Sequence, residues 1–125
     1  MMTESNPSLY VRLGGYDAIS AVAANLLPRL IADEQLGRFW RHRGTDGMER
    51  ERQLLVDFLC SASGGPLYYR GRNMKLTHQG MGISEDDWQR FLAHVSATLA
   101  HFQLAPREAA EVFEFVGSLR HEIVE

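Results

Sequence analysis

Five histidines and one cysteine are the side chains of this 125-residue chain best suited to metal or nucleophilic chemistry. His94 and His101 stand two helical turns apart, too far to clamp a single metal, and no pair among His42, His78, His94, His101 and His121 has the spacing of a zinc site. Cys60 lies in the apolar run DFLCSA, which reads as a small buried hydrophobe, and it has no second cysteine to pair with. His78 differs by its setting. In GGPLYYRGRNMKLTHQGMG, residues 64–82, glycines and a proline hold it between two hydrophobic helical blocks, with Met74, Leu76, Met81 and Ile83 around it. A neutral imidazole kept from water by apolar neighbours is a good donor to a transition metal. The same surroundings also suit a hydrogen-bonded histidine with no ligand.

Helices must position that segment, because sustained β-type alternation is absent while several windows keep helical spacing. Ile19, Val22, Leu26 and Leu30 predict a helix over about 17–32, preceded by a short one through Leu9 and Leu13, with Gly14-Gly15 allowing close approach between them. Pro28 inside this pattern predicts a kink beside Leu27. Asp33 can cap a following turn carrying Leu36, Phe39 and Trp40, after which RHRGTDG reads as a loop through Gly44 and Gly47. A second long helix is expected over about 48–62, burying Leu54, Leu55, Phe58 and Leu59. Ser84 and Asp87 form a capping-box start for a helix whose face is Trp88, Phe91, Leu92, Val95, Leu99 and Phe102. Pro106 opens a last helix carrying Val112, Val116, Leu119 and Ile123.

The fold class is therefore all-α, in one domain spanning 1–125 with residues 1–8 as a flexible N-terminal segment. Hydrophobic residues make up 45% and charged residues 23%, ordinary for a globular core, and a formal charge of −3 offers no footprint for nucleic acid. No membrane span or signal segment is evident, which places the chain in the cytoplasm.

With LYVRLGGYDAI near the start, DFL before the glycine pair, GGP-x-x-Y-x-GR and M-K-x-x-H-x-G, the chain resembles the truncated haemoglobins, most closely group I, from about Leu9 to Val124. The resemblance implies a two-over-two helical sandwich around non-covalent haem b, with His78 as the proximal iron ligand. It further implies haem contacts from Trp40, Leu54, Phe58, Tyr69, Arg72, Met74, Lys75, Thr77, Ile83, Trp88, Phe91 and Val116. Trp40 stands where the family has a phenylalanine, and Tyr69 where it has a haem-edge tyrosine. Arg72 and Lys75 would meet the propionates, although each fits a solvated charge as well. For Trp40, Phe58, Trp88 and Phe91, spacing alone favours ordinary core packing without a cofactor.

The distal side departs from the family pattern. Alignment on Gly14-Gly15 puts Leu27 at the family's tyrosine position, and alignment from Gly64-Gly65 puts Glu51, Leu54 and Leu55 at the distal helix positions. Leu54 falls where some relatives carry an iron-binding histidine. None of these is a phenol or an imidazole. Glu51 or Gln53 turning inward, or His42 folding over the iron, would restore a polar group. Otherwise oxygen loses a hydrogen bond of about 1–3 kcal/mol and is released quickly, while carbon monoxide and nitric oxide lose little.

The leading function is reversible binding of oxygen, nitric oxide or carbon monoxide. A haem redox enzyme (a nitric oxide dioxygenase, nitrite reductase or peroxidase-like protein) would need a separate electron-donating reductase, and no dedicated catalytic residue is evident for it. A haem-free helical interaction module is the third reading, against which the intact surroundings of His78 weigh.

Overall fold

The computed structural model describes residues 7–41, 44–66 and 73–125. Among them lie seven α-helices and one 3-10 helix, with no strand: α1 Leu9–Leu13, α2 Gly15–Ala32, the 3-10 helix Leu36–Trp40, α3 Thr45–Ala62, α4 Met74–His78, α5 Glu85–His101, α6 Pro106–Ser118 and α7 Arg120–Ile123. No described helix is long and apolar enough to cross a membrane.

Local chemistry sets several of these boundaries. Ser8, placed by sequence in the N-terminal segment, accepts from the Val11 amide at 3.3 Å and caps α1. Gly14 ends α1 at φ 112°, a conformation open to glycine, and a Cβ there would stand 2.9 Å from Ala18, so the close approach of α1 and α2 depends on it. Both halves of the capping box form on α5: Asp87 N donates to Ser84 Oγ at 3.0 Å and Ser84 N to Asp87 Oδ2 at 2.9 Å. Pro106 occupies the first turn of α6, where no amide partner is lost.

Other expectations need correction. Helix α3 begins at Thr45, so Gly47 is helical rather than loop; a glycine in a first turn costs little when the helix beyond it is packed. The fully buried positions of α3 are Val56 and Cys60, with Leu54, Leu55, Phe58 and Leu59 half-buried, because the stripe facing α2 runs one position later than read. Helix α2 runs on past Pro28, which is exposed; the kink expected there concerns the helix axis and is separate from where the helix ends. The last predicted helix is two, divided at Leu119, and Phe102 ends α5 as an exposed residue.

Three apolar clusters hold the layers together. Ile19 and Ala23 of α2 meet Val56 and Cys60 of α3, while Leu26 and Leu30 meet Leu36, Val95 and Leu99. Ile83, Trp88, Val116 and Ile123 form the third, and Phe39, Phe91 and Val112 pack against both of the last two. The pairs α2 with α3 and α5 with α6 thus make a two-over-two arrangement, with α4 leaning on α7. Arg12 ties α1 to α6 through Glu108 at 2.6 Å and Glu111 at 2.7 Å, which raises the guanidinium pKa and lowers that of Glu111.

Candidate functional site

His78 is the last residue of α4, and the helix exists because its start is capped. Asn73 accepts from the Leu76 amide through its side chain at 2.8 Å and from the Thr77 amide through its carbonyl at 2.9 Å. One turn along, His78 Nδ1 lies 2.8 Å from the Met74 carbonyl oxygen. A carbonyl can only accept, so Nδ1 carries a proton, and the neutral form of the ring has its lone pair on Nε2. Such a backbone bond is how ligating histidines are oriented.

The apolar wall beside this helix is built from three directions. Met74 packs into the cluster of Ile83, Trp88 and Val116, and the Trp88 and Phe91 rings lie 5.3 Å apart. Trp40 is half-buried in the neighbouring cluster, edge-on to Phe39 at 6.4 Å. Phe58 reaches across from α3 to Phe115, 5.9 Å between rings. Lys75 and Thr77 are exposed on α4. Tyr69, Arg72 and His42 lie outside the described residues. The structure thus brings Met74, Ile83, Trp88, Phe91 and Val116 to the side of α4, with Trp40 adjoining and Leu54 and Phe58 on α3.

Leu27 is 6% exposed on α2, and Leu54 is half-buried on α3. Leu55 packs with Ile19, Ala23, Val56 and Cys60 between those helices. Glu51 is half-buried, whereas Gln53 is exposed and gives its amide to Tyr16 Oη at 3.2 Å and Asp57 at 2.9 Å, which holds it outward. The remaining described histidines have other employment or lie at the surface. His94 Nε2 stands 2.7 Å from Asp33 Oδ2, and this bond depresses the Asp33 pKa further than the Leu36 amide does. His101 and His121 are exposed. No group of three His, Cys, Asp or Glu side chains among the described residues could hold a bare metal ion.

An imidazole with one nitrogen engaged and the other carrying a lone pair, beside a wall of aromatic and aliphatic side chains, fits a flat apolar macrocycle that brings its own metal. Two contributors escaped sequence reasoning. Asp87, read only as a cap, also binds Arg38 at 2.8 Å and Gln35, and Glu125 binds the loop after His78. Neither has a local signal, since the partners are 43 to 52 residues apart.

Residues 8–125 match the family described as bacterial-like globin. A group 1 truncated hemoglobin GlbN from Mycolicibacterium paratuberculosis is 34% identical over 116 residues, covering 93% of this chain and 83% of that protein. The crystal structure of truncated hemoglobin from Tetrahymena pyriformis, in its Fe(III) form, shares the fold with a TM-score of 0.85 at 26% identity, over 94% of this chain and 98% of that one. The 2/2 hemoglobin from Synechococcus sp. PCC 7002, solved in the cyanomet state with covalently attached heme, gives a TM-score of 0.83 at 28% identity, over 93% and 95% of the two chains.

Proposed function

The chain belongs to the bacterial-like globin family, among the group I truncated haemoglobins, and from that premise we propose that it reversibly binds oxygen and other diatomic gases at a haem iron held by His78. The cofactor is non-covalent haem b. When bound, it would supply an iron able to take a diatomic gas as ligand.

The observation that carries this reading is the 2.8 Å contact between His78 Nδ1 and the Met74 carbonyl, which reserves Nε2 for a ligand and fixes the ring on α4. Met74, Ile83, Trp88, Phe91 and Val116 would exclude water from the macrocycle on that side, with Trp40, Leu54 and Phe58 completing the apolar lining. Thr77 and Lys75, together with Tyr69 and Arg72, would meet the polar edge, Lys75 and Arg72 offering cationic partners to the propionates. On the gas-binding side, Leu27 and Leu54 offer no donor, and Gln53 is turned away by its bonds to Tyr16 and Asp57. We therefore read the protein as a fast-releasing oxygen binder that also takes nitric oxide and carbon monoxide, its iron kept reduced by a separate electron donor.

Ultraviolet–visible spectra of the wild type and His78→Ala, in ferric, ferrous and carbonyl forms, test the ligation. The wild type should show a haem Soret band in all three, and the variant should lose the wild-type ferrous and carbonyl spectra. A variant that keeps them refutes the axial role of His78. A protein that stays colourless after hemin is added refutes the function.

A further inference from the structure

The turn that follows His78 is open around its glycines. Gly80 and Gly82 sit at φ 83° and 70°, with nothing within 4 Å of where a Cβ would stand, and Met81 between them is exposed. Hydrogen bonds restrain it. Two come from the chain just before it: the Gln79 amide donates to the Lys75 carbonyl at 2.9 Å and the Met81 amide to the His78 carbonyl at 3.2 Å. The others come from Glu125: its Oε2 accepts from the Gly80 amide at 2.8 Å, its Oε1 from the Gly82 amide at 2.6 Å, and its own amide donates to the Ile83 carbonyl at 2.8 Å.

That residue is itself well anchored. Ile123, 9% exposed, inserts beside Ile83, Trp88 and Val116, and the Val124 amide donates to Arg120 at 2.9 Å. Through α7, the carboxylate is therefore tied to the same apolar wall that flanks α4. We propose that Glu125 is a positioning residue for the iron ligand: its carboxylate bridges two amides of the His78 turn and fixes where the imidazole is presented. This rests on the His78 ligation proposed above. A carboxylate accepting two amide protons makes charge-assisted bonds, and they hold the Glu125 pKa below the usual carboxylate range, Gly80 contributing most. Outer partners of this kind set the orientation and strength of a metal-bound histidine.

The test compares haem-loaded wild type, Glu125→Ala, Glu125→Gln and His78→Ala by resonance Raman in the ferrous state, with the rate of haem transfer to an apoglobin acceptor. Amide exchange at Gly80 and Gly82 is followed in the apoproteins. Glu125→Ala should shift and broaden the iron–histidine stretching band, speed haem loss about tenfold and accelerate exchange of both amides. Glu125→Gln, which keeps one acceptor at the same reach, should recover part of each effect. A wild-type band that Glu125→Ala leaves unmoved overturns the inference even if haem is lost faster, since that would mark a merely structural role. Absence of the band from the wild type, or its survival in His78→Ala, removes the ligation and the inference together.

Discussion

Asp87 Oδ2 lies 2.8 Å from Arg38 Nη2, so a carboxylate with 1% of its side chain exposed joins the first turn of α5 to the 3-10 helix. The same carboxylate accepts from Gln35 and from the Ser84 amide, and no lone pair is wasted. Asp87→Ala would strip a half-exposed guanidinium of its partner and leave the α5 cap open. We expect a loss of about 3 kcal/mol in urea unfolding, with Asp87→Asn losing less because one acceptor survives. A change under about 0.5 kcal/mol would show that Arg38 finds water as good a partner.

Asp87 and Asp33 together predict how stability responds to acid. Arg38 holds the Asp87 carboxyl well below its ordinary value of 3.8, and the His94 bond, ahead of the Leu36 amide, does the same for Asp33. A depressed folded-state pKa means that the unfolded chain binds the proton first. The stabilisation is therefore complete about a unit above the ordinary value of 3.8, starts to go as pH nears that value, and is lost as pH falls toward the lower folded values. Urea midpoints should hold steady from neutral pH to about pH 5 and then fall steeply. Asp33→Asn should flatten that fall; a slope equal to wild type would count against the His94–Asp33 pair as its source.

What could be read in the sequence follows the range of the interactions. Helix α2, the Ser84–Asp87 box and the Pro106 start are written in neighbouring residues, and all three stand where the spacing put them. The helix start at Thr45 was hidden because Gly47 is weighed locally as a breaker, whereas burial of Val56 and Cys60 against α2 decides the matter. The division at Leu119 was hidden because Val112, Val116, Leu119 and Ile123 keep one helical spacing across it. His78 stood out by its glycine-rich setting. Its hydrogen bond to Met74 is implicit in any short helix ending there, but the Glu125 bridge, 43 to 45 residues away, is a product of the fold.

Glycines at two positions should respond with opposite sign to the same change. A Cβ on Gly65 would stand 2.5 Å from a Tyr10 ring carbon and 2.8 Å from the Cys60 carbonyl oxygen, where α1 lies against the end of α3. Gly117, exposed near the end of α6, has nothing within 4 Å. Gly65→Ala should destabilise by about 1–3 kcal/mol, since backbone and ring must both move. Gly117→Ala should stabilise by about 0.5–1 kcal/mol through helix propensity and reduced chain entropy. Thermal unfolding of the two variants decides it, and loss of stability in both would mean the end of α6 is less regular than its helical run.

The apolar distal side proposed above leads to the last prediction, which concerns rate rather than stability. Leu27 is buried on α2, and Leu54 stands half-buried on α3, so neither can donate to a polarised oxygen ligand. Placing a phenol at residue 27 would supply a donor of about 1–3 kcal/mol, which corresponds to oxygen release slower by about 10- to 100-fold. Carbon monoxide, less polarised, should be affected far less. Because a larger ring in a packed site carries its own strain, Leu27→Phe is the proper comparison for Leu27→Tyr: it changes volume without adding a hydroxyl. Stopped-flow dissociation of oxygen and carbon monoxide from both variants should show slowing that is confined to oxygen and to the tyrosine. Equal oxygen rates in the tyrosine and phenylalanine variants would mean that residue 27 does not face the gas, and that the distal side is lined by other residues.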